Sequence, residues 1–132
     1  MRVFRLNKLV RDGVYDNMVQ LGQCAALREL TNEQYLQELA NKLREEAGEF
    51  DSADPEKGLK ELGDLQQVID ELAAALGGDP KKVRVLQEKR FAAMGGFAGR
   101  RYITTLELND DDPWVDYYAK EPERFPEVNA KP

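Results

Sequence analysis

Apolar residues return at helical spacing along most of this chain, and the stretches between them carry clear stop signals. Val10, Val14, Met18 and Leu21 share one face, which predicts a first helix from an Asn7 cap to about Leu21, ended by Gly22. Residues 23–30 show no period and read as extended or loop. Thr31, with Gln34 three residues on, forms a capping-box signature. Behind it Leu36, Leu39, Leu43, Ala47 and Phe50 continue a helical stripe to about Phe50. Asp54-Pro55 opens a third helix, with Leu62, Leu65, Ile69, Leu72 and Leu76 as its expected core stripe and Gly77-Gly78 as its end. Asp79-Pro80 repeats that start and predicts a fourth helix to about Ala93, packed through Val83, Val85, Leu86 and Phe91 and stopped by Gly95-Gly96. RVFRL (residues 2–6) alternates and predicts a short strand. RRYITTLEL (100–108) favours a second strand that can pair with the first. The expected fold is therefore all-α: an antiparallel bundle of about four helices with short terminal strands, completed by oligomerisation. Residues 1–108 form the expected domain. From Asn109 the chain turns to acids, prolines and aromatics without a period, giving an acidic tail over 109–132. Trp114, Tyr117, Tyr118 and Phe125 in that tail suggest docking, for example onto a neighbouring subunit.

Charge and composition narrow the function. A net charge of −6 and a pI near 4.8 argue against binding a nucleic-acid backbone, which needs basic patches. The basic side chains concentrate locally. Arg2, Arg5, Lys8 and Arg11 precede the first acid, and Lys89, Arg90, Arg100 and Arg101 flank the last glycines. Cys24 is the single cysteine, with no histidine anywhere to activate it. The start of the chain has no signal-peptide apolar region, and no apolar run approaches the roughly 20 residues that span a membrane. A cytoplasmic protein is expected. Gly-rich phosphate loops of the GxxxxGK[ST] or GxGxxG type do not occur.

The acids of two adjacent helices carry the chemical signal. Glu46 and Glu49 lie in REEAGEF (44–50), Glu61 and Asp64 in KELGDLQQVID (60–70). Spaced i, i+3, each pair shares a helix face. A helix turns about 100° per residue, which sets Glu46 at nearly the angle of Leu39 and lets Glu61 and Asp64 flank the angle of Val68 and Leu72. Carboxylates on a packed face repel one another and cost free energy unless a cation compensates. Oxygen donors alone suit a hard ion, Mg²⁺ or Mn²⁺. Di-iron bundles need Glu-x-x-His pairs, which a chain without histidine cannot supply. Glu45, beside the set, is a candidate for orienting a water or acting as base. Lys8, Arg11, Lys89, Arg90 and Arg100 are candidate phosphate-binding residues, with helix-dipole compensation as the ordinary alternative for any one of them.

The order of these motifs resembles that of a known superfamily. REEAGEF followed by KELGDL is similar to the ExxE…ExxD motif of the all-α nucleotide pyrophosphohydrolases, which include the MazG-like and phosphoribosyl-ATP pyrophosphohydrolase-like proteins. LNKLVRD (6–12) and EKRFAAMGGFAGRRYI (88–103) resemble flanking signatures of one branch, so the likeness spans about residues 4–106. It implies Glu46, Glu49, Glu61 and Asp64 as Mg²⁺ ligands, Glu45 or Glu49 as the base, and a homodimer or homotetramer whose subunits share the site. The implied reaction cleaves a nucleoside triphosphate to monophosphate and pyrophosphate, with house-cleaning of non-canonical nucleotides as one role. The alternatives are phosphoribosyl-ATP pyrophosphohydrolase itself and a non-catalytic helical module that binds nucleotide or oligomerises. The chain departs from the pattern at Gly13 and Met94, where basic residues are expected.

Overall fold

The computed structural model of the chain describes residues 1–128, so the last four positions of the 109–132 tail lie outside the described residues. Two units are present, Met1–Met94 and a second from Gly95 on. The first holds α1 (Asp12–Gln20), α2 (Asn32–Glu49), α3 (Pro55–Ala75) and α4 (Pro80–Met94); the second holds the short α5 (Val115–Ala119). Every described element is a helix.

Local chemistry explains most of the boundaries. The Thr31 hydroxyl accepts from the Gln34 N–H at 3.2 Å, while the Gln34 side chain accepts from the Thr31 N–H at 3.1 Å, closing a full capping box on α2. Asp54 caps α3 through the Lys57 N–H at 3.2 Å, and Asp79 accepts from the Lys82 N–H at 2.8 Å at the start of α4. α1 and α3 both end in a Schellman arrangement. Gly22 and Gly77 take positive φ (74° and 82°), and the residues after them, Gln23 and Gly78, donate back to Met18 and Ala73 carbonyls at 2.9 Å.

The first helix begins later than the sequence predicts. Asn7 sits at φ 46°, a left-handed conformation that cannot lead into a helix, and Arg11 becomes the N-cap. Lys8 consequently precedes α1 instead of lying on its first turn. Neither expected strand is present among the described residues: 2–6 and 100–108 carry no ladder hydrogen bonds. Alternation makes a segment able to pair, but a strand exists only where a partner strand satisfies its backbone groups. In the tail, the aromatic residues pack on one another instead of projecting separately. Tyr117 stands edge-on to Trp114 and Tyr118, at centroid distances of 5.4 and 5.1 Å, and Phe125 meets Tyr118 at 5.1 Å.

The centre of the first unit is the α2–α3 pair. These helices run antiparallel: Tyr35 near the start of α2 lies beside Glu71 near the end of α3, and Asp51 just beyond α2 meets Glu61 near the start of α3. Burial and the Glu71 carboxylate push the Tyr35 phenol pKa up. Leu39, Val68 and Ala73 are the buried apolar residues, and Gly58 and Glu61 are buried with them. Of the expected α3 stripe, Leu65, Ile69 and Leu72 are half-buried beside the buried Glu61 and Val68, whereas Leu62 and Leu76 are exposed. α4 also differs: Val83, Val85, Leu86 and Phe91 are all exposed, and Val85 points roughly opposite to Val83.

Gly58 sets the turn between α2 and α3. A Cβ there would stand 3.0 Å from the Asp51 carbonyl oxygen and 3.5 Å from the Phe50 ring. Alanine favours a helix over glycine by about 1 kcal/mol, yet the closer of these two contacts is with backbone, which cannot swing aside. Gly58→Ala is expected to lose about 1–3 kcal/mol of stability despite its helix propensity, measured as a lowered urea midpoint. A raised midpoint would show that the turn relaxes freely.

Candidate metal and phosphate site

Glu46 and Glu61 are the two acids that the α2–α3 pair draws inward, with side chains 13% and 10% exposed. Glu46 follows Leu39 by seven residues, so it arrives at nearly the same helix angle and shares the packed face. Glu61 owes its position to the turn that Gly58 allows: its Oε2 accepts the Asp51 N–H at 2.8 Å, and Lys57 stands 3.9 Å from its Oε1. A buried carboxylate without partners costs several kcal/mol; the backbone N–H and the ammonium offset part of that cost.

Cations reach the other acids. Arg11 Nη2 donates to Asp64 Oδ1 at 2.9 Å, bridging the N-cap of α1 to α3. Lys8 Nζ lies 3.4 Å from Glu45 Oε1, and Lys42 stands 3.6 Å from the same oxygen and 3.7 Å from Glu46 Oε1. The basic segment and the acidic helices therefore meet in pairs. Lys42 and Lys57 were not singled out among the sequence candidates. Their signal was present in the spacing, since Lys42 precedes Glu46 by four residues and Lys57 precedes Glu61 by four.

The remaining candidates are placed differently. Glu49 is exposed, because three further residues rotate it about 60° from Glu46. Lys89 and Arg90 are exposed on α4 and make no ion pair among the described residues. Arg100 belongs to the second unit, at φ 54°. Gly13, where the resemblance expects a basic residue, has open space around the position of a Cβ, and Met94 is exposed.

The donor chemistry of Glu46, Glu49, Glu61 and Asp64 fits a divalent cation, being all carboxylate oxygen. Their arrangement is less complete: among the described residues, no three His, Cys, Asp or Glu side chains gather as a metal-holding group. What is assembled is a pair of inward acids on facing helices, with Asp64 one turn along α3 and internal cations alongside. No helix among the described residues is long and apolar enough to cross a membrane. Comparison with protein-family models, curated proteins and solved structures finds no match.

Proposed function

We propose that this chain is a Mg²⁺-dependent nucleoside triphosphate pyrophosphohydrolase, acting in the cytoplasm on ordinary or non-canonical nucleotides. The observation that carries the reading is the pair Glu46 and Glu61, held inward on antiparallel helices where folding alone would favour apolar side chains. Charged groups retained at such positions are characteristic of functional sites. The ExxE…ExxD resemblance implies Glu46, Glu49, Glu61 and Asp64 as ligands.

Glu46, Glu49, Glu61 and Asp64 would hold the ion, with Mn²⁺ as a substitute. The metal, when bound, polarises phosphate oxygens and acidifies a water. The chain's own residues do the rest. Glu45 or Glu49 accepts the proton as the water oxygen attacks the α-phosphorus, and the bond to the bridging β-phosphate oxygen breaks, releasing monophosphate and pyrophosphate. Arg11 and Lys8, now paired with Asp64 and Glu45, would hold phosphate oxygens of the substrate. Lys89 and Arg90 are further candidates for the β- and γ-phosphates. The helices act as a bundle completed in a homodimer or homotetramer. A base pocket suited to phosphoribosyl-ATP would make the same bond cleavage a biosynthetic step.

One observation favours a non-catalytic helical module instead: Glu45, Glu46, Glu61 and Asp64 each already have an internal cation within 4.0 Å. A pyrophosphate-release screen over ordinary, deoxy and damaged nucleoside triphosphates, with Mg²⁺ or Mn²⁺, separates the two readings. Metal-dependent release from at least one substrate is expected. Absence of release from every nucleotide, with only weak Mg²⁺ binding by calorimetry, would leave the non-catalytic module.

A further inference from the structure

The cations beside the acids come from two different sources. Lys42 and Lys57 lie one turn before Glu46 and Glu61 on the same helices, so helix geometry alone keeps them there. Lys8 and Arg11 belong to the segment that precedes α1, and they reach opposite helices. Lys8 Nζ stands 3.4 Å from Glu45 Oε1 on α2, and Arg11 Nη2 stands 2.9 Å from Asp64 Oδ1 on α3. Three residues of extended chain span about 10 Å, which matches the roughly 8–10 Å between the axes of packed helices. The segment therefore lies across the α2–α3 pair, pinned on both sides.

Little else fastens it. α1 packs closely against no other helix among the described residues. Residues 1–8 are exposed, and Leu9 and Val10, between the two pins, are only half-buried. Both ion pairs are open to solvent, and such pairs are weak one at a time. Carried on one chain they act together, because either pair, while closed, keeps the other at high local concentration.

We propose that this segment is an autoinhibitory latch on the acidic site: Lys8 and Arg11 cap Glu45 and Asp64 in the resting chain, and the triphosphate of a nucleotide draws them off. This role rests on Glu46, Glu49, Glu61 and Asp64 being cation ligands, as proposed above. An ammonium or guanidinium against a carboxylate oxygen repels a divalent ion that seeks the same oxygen. A triphosphate offers the two cations several negative charges at once, and a guanidinium grips phosphate oxygens bidentately. The site is thus guarded against metal until substrate arrives, and metal and nucleotide bind with positive coupling.

Binding of Mn²⁺ to the full chain without nucleotide tests the latch, with the free ion counted by electron paramagnetic resonance. The double variant Lys8→Gln/Arg11→Gln is expected to bind Mn²⁺ about tenfold more tightly than wild type, the combined scale of two solvated ion pairs. Arg2→Gln/Arg5→Gln removes the same two charges from the same segment, where neither side chain pairs with an acid among the described residues. It is expected to leave the affinity near that of wild type. No tightening in the first variant, or equal tightening in both, would overturn the latch, since loss of distant charge would then account for the effect. Digestion of the wild type with trypsin needs no variant. Cleavage after Lys8, relative to cleavage after Arg5 in the same sample, is expected to rise severalfold when Mn²⁺ saturates the site. An unchanged ratio would overturn the latch and leave the metal reading standing. Binding of Mn²⁺ by no form of the chain would remove the metal site itself, and the latch with it.

Discussion

Replacing Glu46 with glutamine is expected to reduce metal-dependent pyrophosphate release by at least roughly 10²–10³-fold, the scale on which loss of one transition-state charge stabiliser acts. Glutamine matches glutamate in shape, so the packing beside Leu39 is preserved while the negative charge is removed. The folded state loses only the Lys42 contact at 3.7 Å, a long ion pair of small stabilising value. The circular dichroism spectrum and thermal midpoint are expected to stay close to wild type, and calorimetry should show Mg²⁺ affinity reduced. Turnover at the wild-type rate, with unaltered metal dependence, would remove Glu46 from the ligand set and with it the main support for the proposed chemistry. Loss of activity accompanied by loss of helix signal would instead mark Glu46 as structural. The two readouts are therefore needed together.

Leu39→Ala is expected to have the largest effect on stability, about 2–5 kcal/mol. Leu39 is only 3% exposed, and the other buried hydrophobic residues among the described ones are Val68 and Ala73. Its side chain is the most deeply buried on α2, so truncation removes apolar contact on the α2–α3 side of the helix. Against a typical total of about 5–15 kcal/mol, such a loss leaves the pair barely folded. Urea unfolding at one fixed protein concentration measures it, because self-association would otherwise add to the apparent stability. A change under about 0.5 kcal/mol would show that the α2–α3 contact contributes little to folding.

The elements that were legible in advance share a feature: their signals are local. The Thr31–Gln34 capping box, the Asp54-Pro55 and Asp79-Pro80 starts and the glycine stops act through hydrogen bonds spanning a few residues. The strands at 2–6 and 100–108 were misread because pairing depends on a distant segment. The late start of α1 was missed because Asn7 suits a cap and a left-handed turn equally well, and here it adopts φ 46°. The five-residue α5 was missed since so short a helix shows no period; its aromatic neighbours hold it.

The candidate site divides along the same line. The sequence by itself determined that the acids come in two i, i+3 pairs and that Glu46 shares the angle of Leu39, because helix geometry converts spacing directly into direction. The same geometry set Glu61 beside the angle of Val68 and Leu72. Only the tertiary structure decided that Leu62 and Leu76 stay outside while Leu65, Ile69 and Leu72 of the same expected stripe are half-buried. The Asp51 N–H holds the Glu61 carboxylate, and Lys8 and Arg11 came to the acids from 37 and 53 residues away. Contacts across such distances depend on how separate helices dock, which no periodicity encodes.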